Sequence, residues 1–253
     1  MGFVRNLASF LISLLFPKSC VVCDSVFSEP PHAENSPDLS VSLCQACAEG
    51  FIPLSPPDIC PLCGNPLVEN HSNSPCGSCF VSQKHFSIAR SIVLFSGPAA
   101  RVAKIFKYDG RFSLGTFFSS LVVDFFPSDM GDFEVVIPVP LHLNRIRERE
   151  FNQSAVISSK VASRLGKKHA PSALKRVINT TPQVSFSKSR DRKANMRGAF
   201  AITDEGKKAV KNKKVLLFDD IFTTGSTLDE CSATLLSGGA AEVKALTVFR
   251  TPI

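Results

Sequence analysis

Asp219 and Asp220 stand side by side after the apolar run Val215-Leu216-Leu217-Phe218, and two residues later the chain reads Thr223-Thr224-Gly225-Ser226-Thr227. Adjacent carboxylates at the carboxyl end of a buried strand can accept hydrogen bonds from ribose hydroxyls or hold Mg2+ through water. The loop after them has a different use. Ser226 to Gly238 has helical periodicity, so the loop sits at a helix N-terminus, where unpaired N–H groups and the positive end of the helix dipole favour a phosphate. Gly225 lets the backbone approach such a ligand and the hydroxyls add donors. Together these residues make half of a sugar-phosphate site. An ordinary strand-turn-helix with an N-capping hydroxyl has no need of two adjacent acids. No Gly-x4-Gly-Lys-Ser/Thr loop occurs, so a nucleoside-triphosphatase reading lacks its phosphate lysine.

Eight of the nine cysteines form four Cys-x2-Cys pairs: Cys20 and Cys23, Cys44 and Cys47, Cys60 and Cys63, Cys76 and Cys79. Two thiolates three positions apart can point at one cation, and tetrahedral Zn2+ takes two such knuckles. Four pairs therefore predict two zinc sites. Sequential pairing places Cys20, Cys23, Cys44 and Cys47 on one ion and Cys60, Cys63, Cys76 and Cys79 on the other; an interleaved cross-brace is the alternative. Four thiolates leave no open coordination position, so both ions are read as structural. A disulfide framework is disfavoured, because nothing at the N-terminus reads as a secretory signal. Cys231, the ninth, falls in the helix after the loop and reads as core.

Two further basic segments are candidates. Arg145, Arg147 and Arg149, followed by Asn152 and Gln153, read as a loop leading from the strand Val135–Pro140 into a helix from about Ser154 to Gly166. In an α/β sheet, loops at the carboxyl ends of neighbouring strands converge on one crevice, so this loop is expected to face Asp219 and Asp220. Gln183 to Arg197 lacks apolar periodicity and carries Arg190, Arg192, Lys193 and Arg197, a composition suited to a hood that closes over pyrophosphate or tracks a nucleic-acid backbone.

The elements that must position these residues are legible in outline. The chain has 253 residues and 44% hydrophobic content, enough for a main domain with a smaller one. Residues 1–90 carry four basic and seven acidic side chains, and residues 91–253 carry twenty-five basic and fifteen acidic, so the anion-binding capacity lies in the second part. Leu7, Phe10, Leu11, Leu14 and Leu15 share one helical face, which predicts an amphipathic helix over 1–16. Residues 17–84 are rich in Pro, Ser, Asn and Cys, with a Ser/Pro-rich insertion at 24–43. From 85 onward strands (Ser91–Phe95, Val135–Pro140, Val215–Phe218, Ala199–Ile202, Glu242–Phe249) alternate with helices (Ala99–Tyr108, Leu114–Phe126). No stretch has transmembrane length, and the expected location is the cytoplasm.

Val215 to Thr227 resembles the PRPP (5-phosphoribosyl 1-pyrophosphate) signature of type I phosphoribosyltransferases. With the four Cys-x2-Cys pairs, the Pro138-Val139-Pro140 strand end and the Arg-x-Arg-x-Arg-x-Phe-Asn-Gln stretch at 145–153, the chain is similar to the ComF family over nearly its whole length. The resemblance implies a double zinc ribbon (17–84) preceding a type I phosphoribosyltransferase-like domain (85–253), a doubly wound, mostly parallel α/β sheet. It implies that Asp219 and Asp220 are the catalytic pair that meets the ribose of Mg2+–PRPP. Thr223, Thr224, Gly225, Ser226 and Thr227 would take its 5′-phosphate, and Arg145, Arg147 and Arg149 its pyrophosphate. The implied role is natural competence and uptake of single-stranded DNA, with a helicase or membrane channel as partner, which would bring the protein to the inner face of the membrane. An active transferase of nucleotide or nucleobase metabolism is the alternative. Met1-Gly2 supplies no N-terminal cysteine nucleophile, so glutamine-dependent purine synthesis is not expected.

Overall fold

The computed structural model describes residues 19–26, 43–56, 59–67, 74–108, 111, 113–149, 151–178 and 198–251. The expected N-terminal helix, nearly all of the 24–43 insertion and the whole of the hood, including Arg190, Arg192, Lys193 and Arg197, lie outside them.

Apolar residues without alternation require cover on both sides of a sheet, and the central strand has it. Val215 and Leu217 enter one apolar cluster while Leu216 and Phe218 enter the other. The strands are β1 (Ala89–Leu94), β2 (Val135–Pro138), β3 (Lys168–His169), β6 (Lys214–Phe222) and β7 (Glu242–Arg250), and they form a sheet in the order β1-β7-β6-β2-β3. All of its pairings are parallel. One face is covered by α3 (Gly97–Tyr108), α4 (Ser113–Asp124) and α6 (Gln153–Arg164), through Val102, Phe106, Phe118 and Ile157 among others. The opposite face takes Leu228, Cys231 and Leu235 of α8 (Ser226–Ser237), which bears out Cys231 as core. A separate antiparallel pair, β4 (Leu174–Arg176) with β5 (Phe200–Ile202), holds the two ends of the segment that contains the hood sequence. α7 (Asp204–Val210) then leads into β6, started by Thr203, whose hydroxyl accepts from Gly206 N–H at 2.9 Å.

The cysteine-bearing segments are built onto this sheet. Cys47 and Cys79 lie on the one-turn helices α1 (Gln45–Glu49) and α2 (Gly77–Val81). The outer edge of β1 is covered by ribbon backbone: Leu54 N–H donates to Ile92 O at 3.0 Å, Leu94 N–H to Ile52 O at 2.9 Å and Ala89 N–H to Leu62 O at 2.7 Å. An exposed strand edge invites pairing with another chain, and here the ribbon blocks it. Gly64 makes this approach possible: φ is +68°, and a Cβ there would lie 2.9 Å from Ala89 O. Cys20 and Cys47 join the apolar cluster on the α3 side, and Cys60, Cys63 and Cys79 join the α8 side. His85 ties the following linker to α8, donating from its backbone N–H to Asp229 Oδ1 at 2.8 Å.

Two local expectations need correction. The segment of Arg145, Arg147 and Arg149 is not a loop but a helix, α5 (Leu143–Arg149). Leu, Arg and Glu are strong helix formers, no Gly or Pro interrupts them, and Arg145 pairs with Glu148 at i,i+3 and 2.7 Å. The central strand also does not stop at Phe218. It runs through both aspartates to Phe222, because Asp219 and Ile221 pair with Thr247 and Phe249 of the neighbouring β7.

Candidate functional site

The aspartates of β6 are each held by a side chain from a different helix. Ser154, buried in the first turn of α6, donates from Oγ to Asp219 Oδ1 at 2.8 Å, and Asp220 N–H donates to the same oxygen at 2.9 Å. Asp220 meets Lys107 from the last turn of α3, with Nζ 2.5 Å from Oδ2. Burial first, and the neighbouring Asp220 charge second, push Asp219 up to about 7. Asp219 is therefore a carboxyl whose ionisation folding opposes.

α6 is itself anchored to β2. Asn152 caps it, accepting from Ser154 N–H at 3.0 Å and Ala155 N–H at 3.3 Å, while its own amide donates to Val139 O at 3.0 Å. Gln153 beside it is 2% exposed, and its Nε2 has no hydrogen-bond partner among the described residues.

The hydroxyl-rich loop turns sharply between strand and helix. Gly225 stands at the N-cap of α8 with φ +76° and supplies no side-chain cap, and the first helical amide, Ser226 N–H, makes a long hydrogen bond to Thr224 Oγ1 at 3.5 Å. A Cβ at Gly225 would meet Phe222 Cζ at 2.6 Å, so the strand end and loop are fitted to one another. Thr224 and Ser226 lie within hydrogen-bond reach through their hydroxyls, 3.0 Å apart.

The arginines are arranged less simply than expected. Arg145 is half-buried and engaged with Glu148, and Arg147 is exposed. Arg176 of β4, which the sequence reading passed over, has its pKa lowered by burial, with Cys231 and Asp219 raising it and Arg145 lowering it. Lys107 and Ser154 were also missed. Lys107 could have been suspected only from its place at the end of a helix bordering the sheet, and Ser154 from its nearness to Asn152.

The cysteines cluster as sequential pairing predicts: the four sulfurs of Cys20, Cys23, Cys44 and Cys47 lie within 4.8 Å of one another, as do those of Cys60, Cys63, Cys76 and Cys79. Tetrahedral zinc with Zn–S of about 2.3 Å requires sulfurs about 3.8 Å apart. Cys23 and Cys44 are separated by 3.6 Å, and so are Cys63 and Cys76. The donor chemistry also fits a cation. In the second cluster the hydrogen bond with Cys79 draws Cys63 down to about 5, while that bond and burial push Cys79 up. Four crowded thiols thus cannot all ionise by themselves, and a divalent metal is what would let them.

Two buried arginines support the second cluster. Arg250, 0% exposed at the end of β7, donates to Cys63 O at 2.6 Å and Asn65 Oδ1 at 3.2 Å, with its guanidinium 4.1 Å from the centre of the Phe222 ring. Arg90 of β1 donates to Pro61 O at 3.0 Å and reaches Asp129. Among the described residues no helix is long and apolar enough to cross a membrane.

Comparison with known proteins agrees with both parts. Residues 11–80 match the family model of a double zinc ribbon domain, and residues 152–253 that of a phosphoribosyl transferase domain. The DNA utilization protein YhgH of Escherichia coli O6:H1 is 27% identical over 214 residues, covering 83% of this chain and 90% of that protein. Competence protein ComFC of Bacillus subtilis is 27% identical over 244 residues, covering 92% of this chain and 95% of its own. Among solved structures, a hypoxanthine phosphoribosyltransferase from Staphylococcus aureus aligns with a TM-score of 0.34 and 18% identity, over 54% of this chain and 62% of that one.

Proposed function

We propose that this chain, which belongs to the ComF family, binds PRPP with Mg2+ in the Asp219–Thr227 crevice and acts in natural competence, handling incoming single-stranded DNA in the cytoplasm. The observation that carries the ligand is the continuity of the β6 aspartates, the left-handed Gly225 and the hydroxyl-lined start of α8 within one strand-loop-helix. Asp219 and Asp220 meet the ribose hydroxyls and, through water, Mg2+; the amides and hydroxyls of Thr223 to Thr227 take the 5′-phosphate. On the pyrophosphate side, Arg145, Arg147 and Arg149, with Arg176 and the hood residues Arg190, Arg192, Lys193 and Arg197, supply positive charge. Mg2+ would neutralise the pyrophosphate as a leaving group. The transformation role is supported by relatives named for competence and for DNA utilization. The zinc ribbons and the basic second part of the chain are the surfaces for DNA and for a helicase or channel partner.

Isothermal titration should detect Mg2+-dependent PRPP binding, and the double substitution Asp219→Asn, Asp220→Asn should weaken it by at least about tenfold with the fold retained by circular dichroism. Wild-type protein that takes up no PRPP at millimolar concentration would refute the ligand. For DNA, a single-strand gel shift that weakens steeply with salt is expected, since phosphate contacts release counterions.

Binding should also depend on pH. With Asp219 raised to about 7, folding takes up a proton between the ordinary carboxylate range and neutrality, so this group's contribution to stability is present in acid and lost as pH rises through about 7. A divalent cation favours the ionised form and shifts the balance the other way. Mg2+–PRPP affinity is expected to rise about tenfold from pH 6 to pH 8 on account of this one proton, with proton release seen as a dependence of the binding heat on buffer. A flat profile would remove Asp219 from the site.

A further inference from the structure

A crevice for a polyanion should not present two carboxylates and nothing to offset them, and here the nearest offsetting group comes from outside the strand-loop-helix. Lys107 lies in the last turn of α3, more than a hundred residues before Asp220. Its Nζ is 2.5 Å from Asp220 Oδ2, and the two side chains are 17% and 16% exposed. The two aspartates are thereby treated differently. Asp219 is held by the neutral Ser154 hydroxyl, whereas Asp220 is held by a full positive charge.

An ammonium on a four-carbon stem has three donors and can turn without moving its backbone. The ion pair with Asp220 is the one that Lys107 makes among the described residues, and α3 is long enough and well enough packed, through Ala99, Val102, Ala103 and Phe106, to keep the stem in place. When ribose hydroxyls take up the oxygens of Asp220, the ammonium loses its partner in a half-dry site. It must then find another anion within reach of the same carboxylate.

We infer that Lys107 is the resident counter-ion of the crevice: it neutralises Asp220 in the free protein and, when ligand enters, transfers its hydrogen bonds to the pyrophosphate oxygens at C1, so that it selects sugars bearing an anion there. This inference rests on the PRPP reading of the same site and adds a residue and a basis for selectivity to it. A purely structural lysine would act on Asp220 alone and would be indifferent to what the sugar carries at C1.

The two roles separate in one experiment, a titration of wild type, Lys107→Met and Lys107→Arg with Mg2+–PRPP and, in parallel, with ribose 5-phosphate, which has no pyrophosphate. Lys107→Met should lose about tenfold or more in PRPP affinity beyond whatever it loses in ribose 5-phosphate affinity, the second loss reporting the uncompensated Asp220. Lys107→Arg should recover part of the PRPP affinity. Equal losses for both ligands would reduce Lys107 to a structural partner of Asp220, and unchanged PRPP affinity in Lys107→Met would remove it from the site; either overturns the inference. Wild-type protein that binds ribose 5-phosphate but discriminates against PRPP would also overturn it. Wild-type protein that binds neither would sink the PRPP reading itself, and this inference with it. Circular dichroism of Lys107→Met supplies the control that the variant is folded.

Discussion

Gly225→Val is expected to lower Mg2+–PRPP affinity by at least about a hundredfold, because it misplaces the whole phosphate loop rather than removing one contact. Gly225 has φ +76°, where a β-branched residue is strongly disfavoured. The left-handed conformation alone costs an ordinary residue about 1–2 kcal/mol. The new Cβ would also stand 2.6 Å from the Phe222 ring. Phe222 has no room to yield: it is 2% exposed, with Arg250 4.1 Å from its centre and Phe86 edge-on at 6.3 Å. The start of α8 must therefore shift, and with it the amides of Ser226 and Thr227. The melting temperature should drop by several degrees, in line with a loss of about 2–4 kcal/mol. Calorimetric titration beside a thermal melt checks both; a Gly225→Val protein that binds PRPP as wild type does would show that the loop does not carry the phosphate.

Arg250→Met should cost the protein its second metal. A zinc bound by four thiolates carries a net charge of about −2, and the Cys60–Cys79 cluster lies in the apolar core on the α8 side of the sheet. Arg250 and Arg90 supply positive charge there and satisfy the carbonyls of Cys63 and Pro61. Methionine fills much of the same volume but leaves Cys63 O and Asn65 Oδ1 without these donors. Supporting contacts of this kind are worth about 10- to 100-fold in metal affinity, and the unpaired buried groups add about 3–5 kcal/mol of destabilisation. Wild type is expected to hold two zinc ions per chain. Under challenge with a chromophoric chelator, Arg250→Met should surrender one of them at a chelator concentration that leaves wild type intact. Release of both ions with wild-type kinetics would contradict this account of the second centre. The first centre has an exposed member, Cys23, and should be indifferent to the substitution.

The parts of the molecule that could be read from sequence are those whose chemistry depends on close spacing. Two knuckle cysteines three apart must meet one cation, and sequential pairing of the knuckles is what the sulfur clusters bear out. The strand-loop-helix from Val215 through the Gly225 N-cap was readable for the same reason, since its apolar run, turn glycine and helical periodicity lie in one short segment. Local rules then misplaced two boundaries. Asp has low strand propensity, so the reading ended β6 at Phe218, whereas pairing with Thr247 and Phe249 carries the strand on to Phe222. The segment of Arg145 to Arg149 reads as a loop after the strand end, whereas helix propensity and the Arg145–Glu148 pair make it α5.

What no local pattern contained is the set of partners that make the buried charges tolerable. Lys107 on Asp220, Ser154 on Asp219, and Arg90 and Arg250 on the second cysteine cluster join residues from 30 to 187 positions apart. By itself the sequence determined which groups could hold a sugar phosphate and which could hold zinc, because those are properties of residue type and short spacing. Only the tertiary structure decided how each charge is offset and how the ribbons are joined to the sheet. Desolvation and charge pairing depend on what the fold brings within a few ångströms, and separation along the chain carries no record of that distance.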